Sequence, residues 1–193
     1  MAADPHTTNS GPGSGLSAPE GASTPLAGVT RRREGFSGPQ TGTQGISIME
    51  EAVKPYRVLV TGSRDWSDRR AIEDTLTTAG ALAVALGQRL VVVHGACPTG
   101  ADRIADAWAR WHQNRGRNFD IEEHPARDFG PWPACGPLRN KHMVDLGADA
   151  CFAFIGPCTS PRCRRPGPHL SHGASGCADL AEAAGIPVRR FTA

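Results

Sequence analysis

From Tyr56 onward, apolar and polar residues follow two distinct rhythms. Five short apolar runs have the length and β-branched content of strands: Arg57–Thr61, Leu90–Val93, Phe119–His124, Ala150–Ile155 and Val188–Phe191. Between them, apolar residues recur three and four positions apart. Residues 69–87 set Ile72, Leu76 and Ala79 to Ala83 on one helical face, and residues 101–114 do the same with Ile104, Trp108 and Trp111. A helix over 137–147 is predicted to open on Pro137, whose missing N–H costs little in a first turn. Another is expected over 176–185. Leu90-Val-Val-Val93 has no polar position at all, the pattern of a strand covered on both faces. This alternation predicts the α/β class: a doubly wound, mostly parallel sheet of about five strands, Rossmann-like.

Residues 1–52 break this rhythm. Half of them are Gly, Ser, Thr or Pro, and Phe36 is their one aromatic residue. Such a segment cannot bury enough apolar surface to offset its ordering entropy. A disordered tail is therefore expected ahead of a domain spanning 53–193. Met49, just before the first strand, offers an alternative start of translation.

Composition then narrows the function classes. The formal net charge is only +2, and the run Arg31-Arg32-Arg33 reads as a solvated stretch. No strong field for nucleic acid or an anionic membrane is implied. No apolar stretch approaches the roughly 20 residues needed to span a bilayer. The start of the chain lacks the basic segment and apolar core of a secretory signal, so a cytoplasmic location is expected. In that compartment the six cysteines read as reduced core thiols or metal ligands rather than disulfides.

Ligands of open parallel sheets sit outside the carboxyl ends of the strands, so the loops there are the candidates for chemistry. After the first strand come Gly62, Ser63 and Arg64: a glycine permitting close backbone approach, a hydroxyl, and a guanidinium able to grip a phosphate or carboxylate. After the second strand, His94 to Arg103 contains Gly95 and Gly100 at P-loop spacing. Ala101 and Asp102, however, stand where that motif needs Lys and Ser or Thr. Nucleoside-triphosphate hydrolysis is thereby disfavoured. A Gly-rich turn feeding a helix N-terminus remains, suited to one phosphate or a ribose. Asp102 either accepts bonds from sugar hydroxyls or serves as favourable first-turn charge. Without a three-glycine dinucleotide fingerprint, hydride transfer is disfavoured too. Arg139 and Asn140, expected in a first helical turn where a cation opposes the helix dipole, suggest a bound anion.

The Gly62-Ser63-Arg64 start, the His94-Gly95…Gly100-Ala101-Asp102 turn and the segment Gly136-Pro137-Leu138-Arg139-Asn140-Lys141-His142-Met143 together resemble the YspA/YpsA-related branch of the SLOG superfamily. The resemblance spans roughly residues 56–191. It implies a Rossmann-like domain for nucleotides or nucleotide-derived ligands. Its relatives include the DNA-binding DprA proteins and the LOG enzymes, which hydrolyse cytokinin ribotides. Arg139 matches an Arg of the LOG enzymes. Their Pro-Gly-Gly-x-Gly-Thr-x-x-Glu signature is replaced here by Gly156-Pro157, an insertion and Ser171 to Cys177, with Ala174 at the Thr position and Cys177 at the catalytic Glu position. Ser171 and Gly173 fall where that family's phosphate-binding turn is expected. Cleavage of an N-glycosidic bond needs a carboxylate, and only Asp102, Asp128 or Glu182 are offered as substitutes.

The insertion carries Cys158-x4-Cys163-x5-His169-x2-His172. Two thiolates and two imidazoles have the type and number of a tetrahedral, structural zinc site, with a looser spacing than a zinc finger. The alternative is an ordinary loop with incidental Cys and His; Cys135 and Cys177 are spare ligands. The favoured expectation is a protein that binds a nucleotide-like small molecule as a sensor or accessory factor. A ribose-phosphate-cleaving enzyme and a DprA-like nucleic-acid binder are the alternatives, with self-association into a homodimer left open.

Overall fold

The computed structural model describes residues 53–193; the expected tail, residues 1–52, lies outside the described residues. The elements run β1 (Tyr56–Gly62), α1 (Arg69–Ala85), β2 (Leu90–His94), α2 (Gly100–Gln113), β3 (Phe119–Glu123), a 3-10 turn (Ala126–Phe129), α3 (Cys135–Asp145), β4 (Ala150–Ile155), α4 (His172–Ala183) and β5 (Val188–Thr192). All five strands are parallel, in the order β3-β2-β1-β4-β5. Among the described residues no helix is long and apolar enough to cross a membrane.

The continuous apolar strands follow from burial on both faces. In β1, Val58 and Val60 point into the core beneath α1 and α2, whereas Leu59 points into the core beneath α3 and α4. In β2, Leu90 and Val92 join the first core and Val91 and Val93 the second. The chain steps from β1 outward to β3, then returns across β1 to β4. Crossovers of one hand place helices on opposite faces when the direction reverses. That reversal separates the α1–α2 layer from the α3–α4 layer.

Two helix starts and one buried stripe differ from the sequence pattern. Helix α3 opens at Cys135, two residues early, so Pro137 is its third residue; its missing N–H is still among those that a first turn leaves unpaired. Arg139 and Asn140 consequently sit in the second turn. Helix α4 begins at His172, four residues early, because burial of Ala174 and Cys177 overrides the poor helix propensity of Gly173 and Gly176. Trp111 is 51% exposed, with the Arg115 guanidinium 3.6 Å from its ring centre. The buried stripe of α2 is Ala101, Ala105, Trp108 and Ala109.

Candidate ligand-binding site at the carboxyl edge of the sheet

Neighbouring strands β1 and β4 send their following helices to opposite faces, so a crevice opens at their carboxyl ends. A small hollow of about 130 Å³ lies there, lined by Ser63, Asp65, Trp66, Gly156 and Pro157 among others. Ser63 is buried and bridges the crevice. Its hydroxyl accepts the Gly156 N–H at 2.8 Å, and its own N–H donates to the Phe154 carbonyl at 2.9 Å. The Ser63 carbonyl accepts the Ala101 N–H at 3.3 Å, joining the β1 loop to the start of α2. Packing leaves no room for larger residues here: a Cβ on Gly62 would overlap the Ala101 side chain. Gly100 has φ +67° and a Cβ there would overlap the Ser63 carbonyl. Gly62, Ser63, Gly100 and Ala101 thus shape the edge, while the Arg64 side chain is exposed at its rim.

The β2 loop is organised from within. Asp102 is 5% exposed, and its carboxylate accepts the N–H of Cys97 at 3.2 Å and that of Gly95. Burial pushes the Asp102 carboxyl pKa up, opposed by His94, Arg139 and the two N–H groups. Its carboxylate therefore holds the Gly95–Cys97 turn rather than standing open to solvent. Arg139 reaches across this turn from α3. Its side chain is 15% exposed, Nη1 lies 4.0 Å from Asp102 Oδ2 and donates to the His124 carbonyl at 3.4 Å. Its buried Nε has no partner.

Asn140, buried beside Arg139, donates from Nδ2 to the Gly173 carbonyl at 3.1 Å and fixes the start of α4. Ser171 is the N-cap of α4, and its N–H donates to the Gly156 carbonyl at 3.0 Å. Gly173 is exposed with open space around it. These contacts link Gly62, Ser63, Gly95, Gly100, Ala101, Asp102, Arg139, Asn140, Ser171 and Gly173 into one edge. Cys177 lies beneath it, fully buried, and burial pushes its thiol up to about 11 despite a bond with Thr61 and the nearby Arg139. Glu182 pairs with Arg190 near the far end of α4, and Asp128 is exposed with Arg127 at 3.7 Å.

His94 also belongs to the site region, and neither periodicity nor motif spacing had singled out its side chain. Its Nδ1 accepts the Ala96 N–H at 3.1 Å, which supports the positive φ of +52° at Ala96 and leaves the proton on Nε2. Nε2 faces Asp106 Oδ1 at 3.4 Å. Glu123 is close enough for the three to resemble a cation site, but Arg110 already holds Asp106 at 2.9 Å and Glu123 at 3.0 Å. The sequence signals for His94 were its place at the carboxyl end of an apolar strand and at the head of the His94-Gly95…Gly100-Ala101-Asp102 turn.

A doubly wound parallel sheet whose glycine-shaped carboxyl edge carries a half-paired arginine defines an α/β domain of Rossmann type. The chain belongs to the YspA, cpYpsA-related SLOG family, whose sequence profile matches residues 56–127. That match includes the β1 and β2 loops and stops short of Arg139. The chain is 42% identical over 138 residues to the Gene 61 protein of Mycobacterium phage D29, covering 70% of this chain and 95% of that one. Among solved structures it overlays on a protein of the universal stress protein family from Burkholderia pseudomallei (16% identity, TM-score 0.37, 72% of this chain and 97% of that one). It overlays likewise on a universal stress protein from Archaeoglobus fulgidus (22%, 0.36, 70% and 93%) and on a universal stress protein in complex with cAMP (21%, 0.35, 72% and 98%). These overlays are too loose to bear on the ligand.

Proposed function

We propose that the protein binds a nucleotide or nucleotide-derived ligand at the carboxyl edge of its sheet, with Arg139 holding a phosphate, and works as a sensor or accessory factor. The supporting observation is the state of Arg139. A guanidinium carries five N–H donors, yet this largely buried one makes a single hydrogen bond, at 3.4 Å, and leaves Nε unpartnered. A buried, under-bonded cation is costly. A phosphate offers the acceptors that a guanidinium fork matches in pairs. Asp102, 4.0 Å away, is already engaged by the turn it holds. The start of α4 at Ser171 and Gly173 adds the positive end of a helix dipole nearby.

Binding is favoured over N-glycosidic hydrolysis because the position of the expected catalytic Glu is Cys177, a buried protonated thiol. Asp102 is sequestered, Asp128 is on the surface, and Glu182 sits at the opposite end of α4. Calorimetric titration of the full chain with nucleoside monophosphates and ADP-ribose tests the reading. Saturable binding of a phosphorylated ligand, absent for the matching nucleoside and weakened in Arg139→Ala, is expected. Release of free base from a nucleoside monophosphate would favour the ribose-phosphate hydrolase instead. Indifference to every phosphorylated ligand, or full affinity in Arg139→Ala, overturns the assignment of Arg139.

A further inference from the structure

The insertion between β4 and α4 has no core of its own. No residue from Pro157 to Gly173 is buried, and the four partly shielded ones are Cys158, Cys163, His169 and Ser171. An isolated antiparallel bridge, Pro157 to Leu170, closes its base, and the Cys158 N–H donates to the His169 carbonyl at 2.8 Å. Inside the loop the side chains that meet are polar and of metal-binding type. The donor atoms of Cys158, Cys163, His169 and His172 all lie within 4.8 Å of one another. Cys163 Sγ is 3.2 Å from Nε2 of both His169 and His172, and the two Nε2 atoms are 3.1 Å apart. A tetrahedron with bonds of about 2.0–2.3 Å has edges of roughly 3.3–3.8 Å, so three of these donors already stand close to ligand spacing.

The hydrogen bonding around His169 points the same way. Its Nδ1 lies 2.8 Å from the Gly167 carbonyl, which can only accept, so Nδ1 carries the proton. In the neutral ring this tautomer puts the lone pair on Nε2, directed at a sulfur and a second imidazole. A ring whose far nitrogen is anchored to a backbone carbonyl while the near one faces other soft donors is oriented as a metal ligand is. Cys135 and Cys177 are buried elsewhere and take no part.

We propose that this insertion binds one Zn²⁺ through the sulfurs of Cys158 and Cys163 and Nε2 of His169 and His172. Four protein ligands close the coordination shell, so the ion is structural and leaves no position for a reacting water. It replaces the missing core, as staples do in lobes too small to bury one. It also reaches the ligand edge from two sides: His172 is the first residue of α4, and Thr159 is hydrogen-bonded to Asp65 in the β1 loop.

Metal content of the full chain, purified without chelators from zinc-containing medium, tests this. About one zinc per chain is expected. Cys163→Ser and His169→Ala should lose it, and Cys97→Ser should keep it. Cobalt substitution should give the intense visible bands of a tetrahedral thiolate site, lost in the same two variants. To guard against misfolding, a chain with residues 158–170 replaced by a short glycine linker should retain its circular dichroism yet bind no zinc. A wild-type chain with far less than one zinc, a Cys158–Cys163 disulfide, or metal retained in both ligand variants overturns the proposal. Because the readout is metal, its failure is separable from failure of nucleotide binding.

Discussion

The guanidinium of Arg139 lies directly over Gly95, so closely that a Cβ on Gly95 would overlap Nη1 and Cζ. Gly95 is thus the floor on which the proposed phosphate-binding arginine rests. The obstructed atoms are the end of a flexible side chain, so Gly95→Ala should fold and push Arg139 aside. Its affinity for a phosphorylated ligand should fall as in Arg139→Ala. The double variant should bind no more weakly than Arg139→Ala alone, since the two changes remove one interaction. Additive losses in calorimetry would separate the two residues.

Arg64 and Arg139 should contribute unequally. Arg139→Ala removes a charged hydrogen-bonding group from a shielded position and should cost about 1.5–3 kcal/mol of binding. Arg64 is exposed at the rim, where solvent screens its charge, so Arg64→Ala should cost less, with a steeper dependence on salt. Equal losses at low and high salt would place Arg64 inside the site.

Gly100 and Gly87 have nearly the same positive φ, +67° and +66°, in different surroundings. A Cβ at Gly87 meets nothing, whereas one at Gly100 runs into the Ser63 and Arg64 backbone. Gly87→Ala should cost about 1–2 kcal/mol for the left-handed backbone alone. Gly100→Ala should cost a further ~1–3 kcal/mol for overpacking and weaken ligand binding. Urea unfolding of both variants measures the difference; equal destabilisation would mean that the β1 loop yields freely.

Glu122 sets an acid limit on stability. Arg57 binds its carboxylate through Nη1 at 2.6 Å and Nη2 at 2.9 Å, and His124 lies 2.7 Å from it. The Arg57 bonds lead, burial opposes and His124 adds, holding the pKa at about 2 against an ordinary 4.5. With the folded-state value lower, the stabilisation is complete above pH 4.5 and fades as pH falls toward 2. Glu122→Gln should lose about 1.5–3 kcal/mol at neutral pH and a corresponding part of the acid slope. An unchanged slope in stability measured across that window would assign the acid sensitivity to other carboxylates.

Much of the fold was legible because the signals are local. The apolar runs at 57–61, 90–93 and 150–155 fall within the strands, and the three- and four-residue spacing of Ile72, Leu76, Ala79 and Ala83 matches the buried face of α1. Less legible were helix starts. Pro137 looked like a first residue, and the glycines at 173 and 176 hid the first turn of α4, because burial rather than propensity decided both ends.

By itself the chain determined the order of elements, the parallel sheet and the kinds of side chain delivered to its carboxyl edge, since each depends on residues a few positions apart. Tertiary structure alone decided what those side chains do there. Ser63 and Gly156 are bonded across 93 positions of sequence, which commits one lone pair of the hydroxyl to the crevice itself. Asp102 is turned inward onto the Gly95–Cys97 turn, and Arg139 is laid over Gly95 with donors unspent. No periodicity encodes such pairings: they arise when the return of the chain from β3 across β1 to β4 brings distant loops to one edge, and burial there forces each polar group to find a partner or go without.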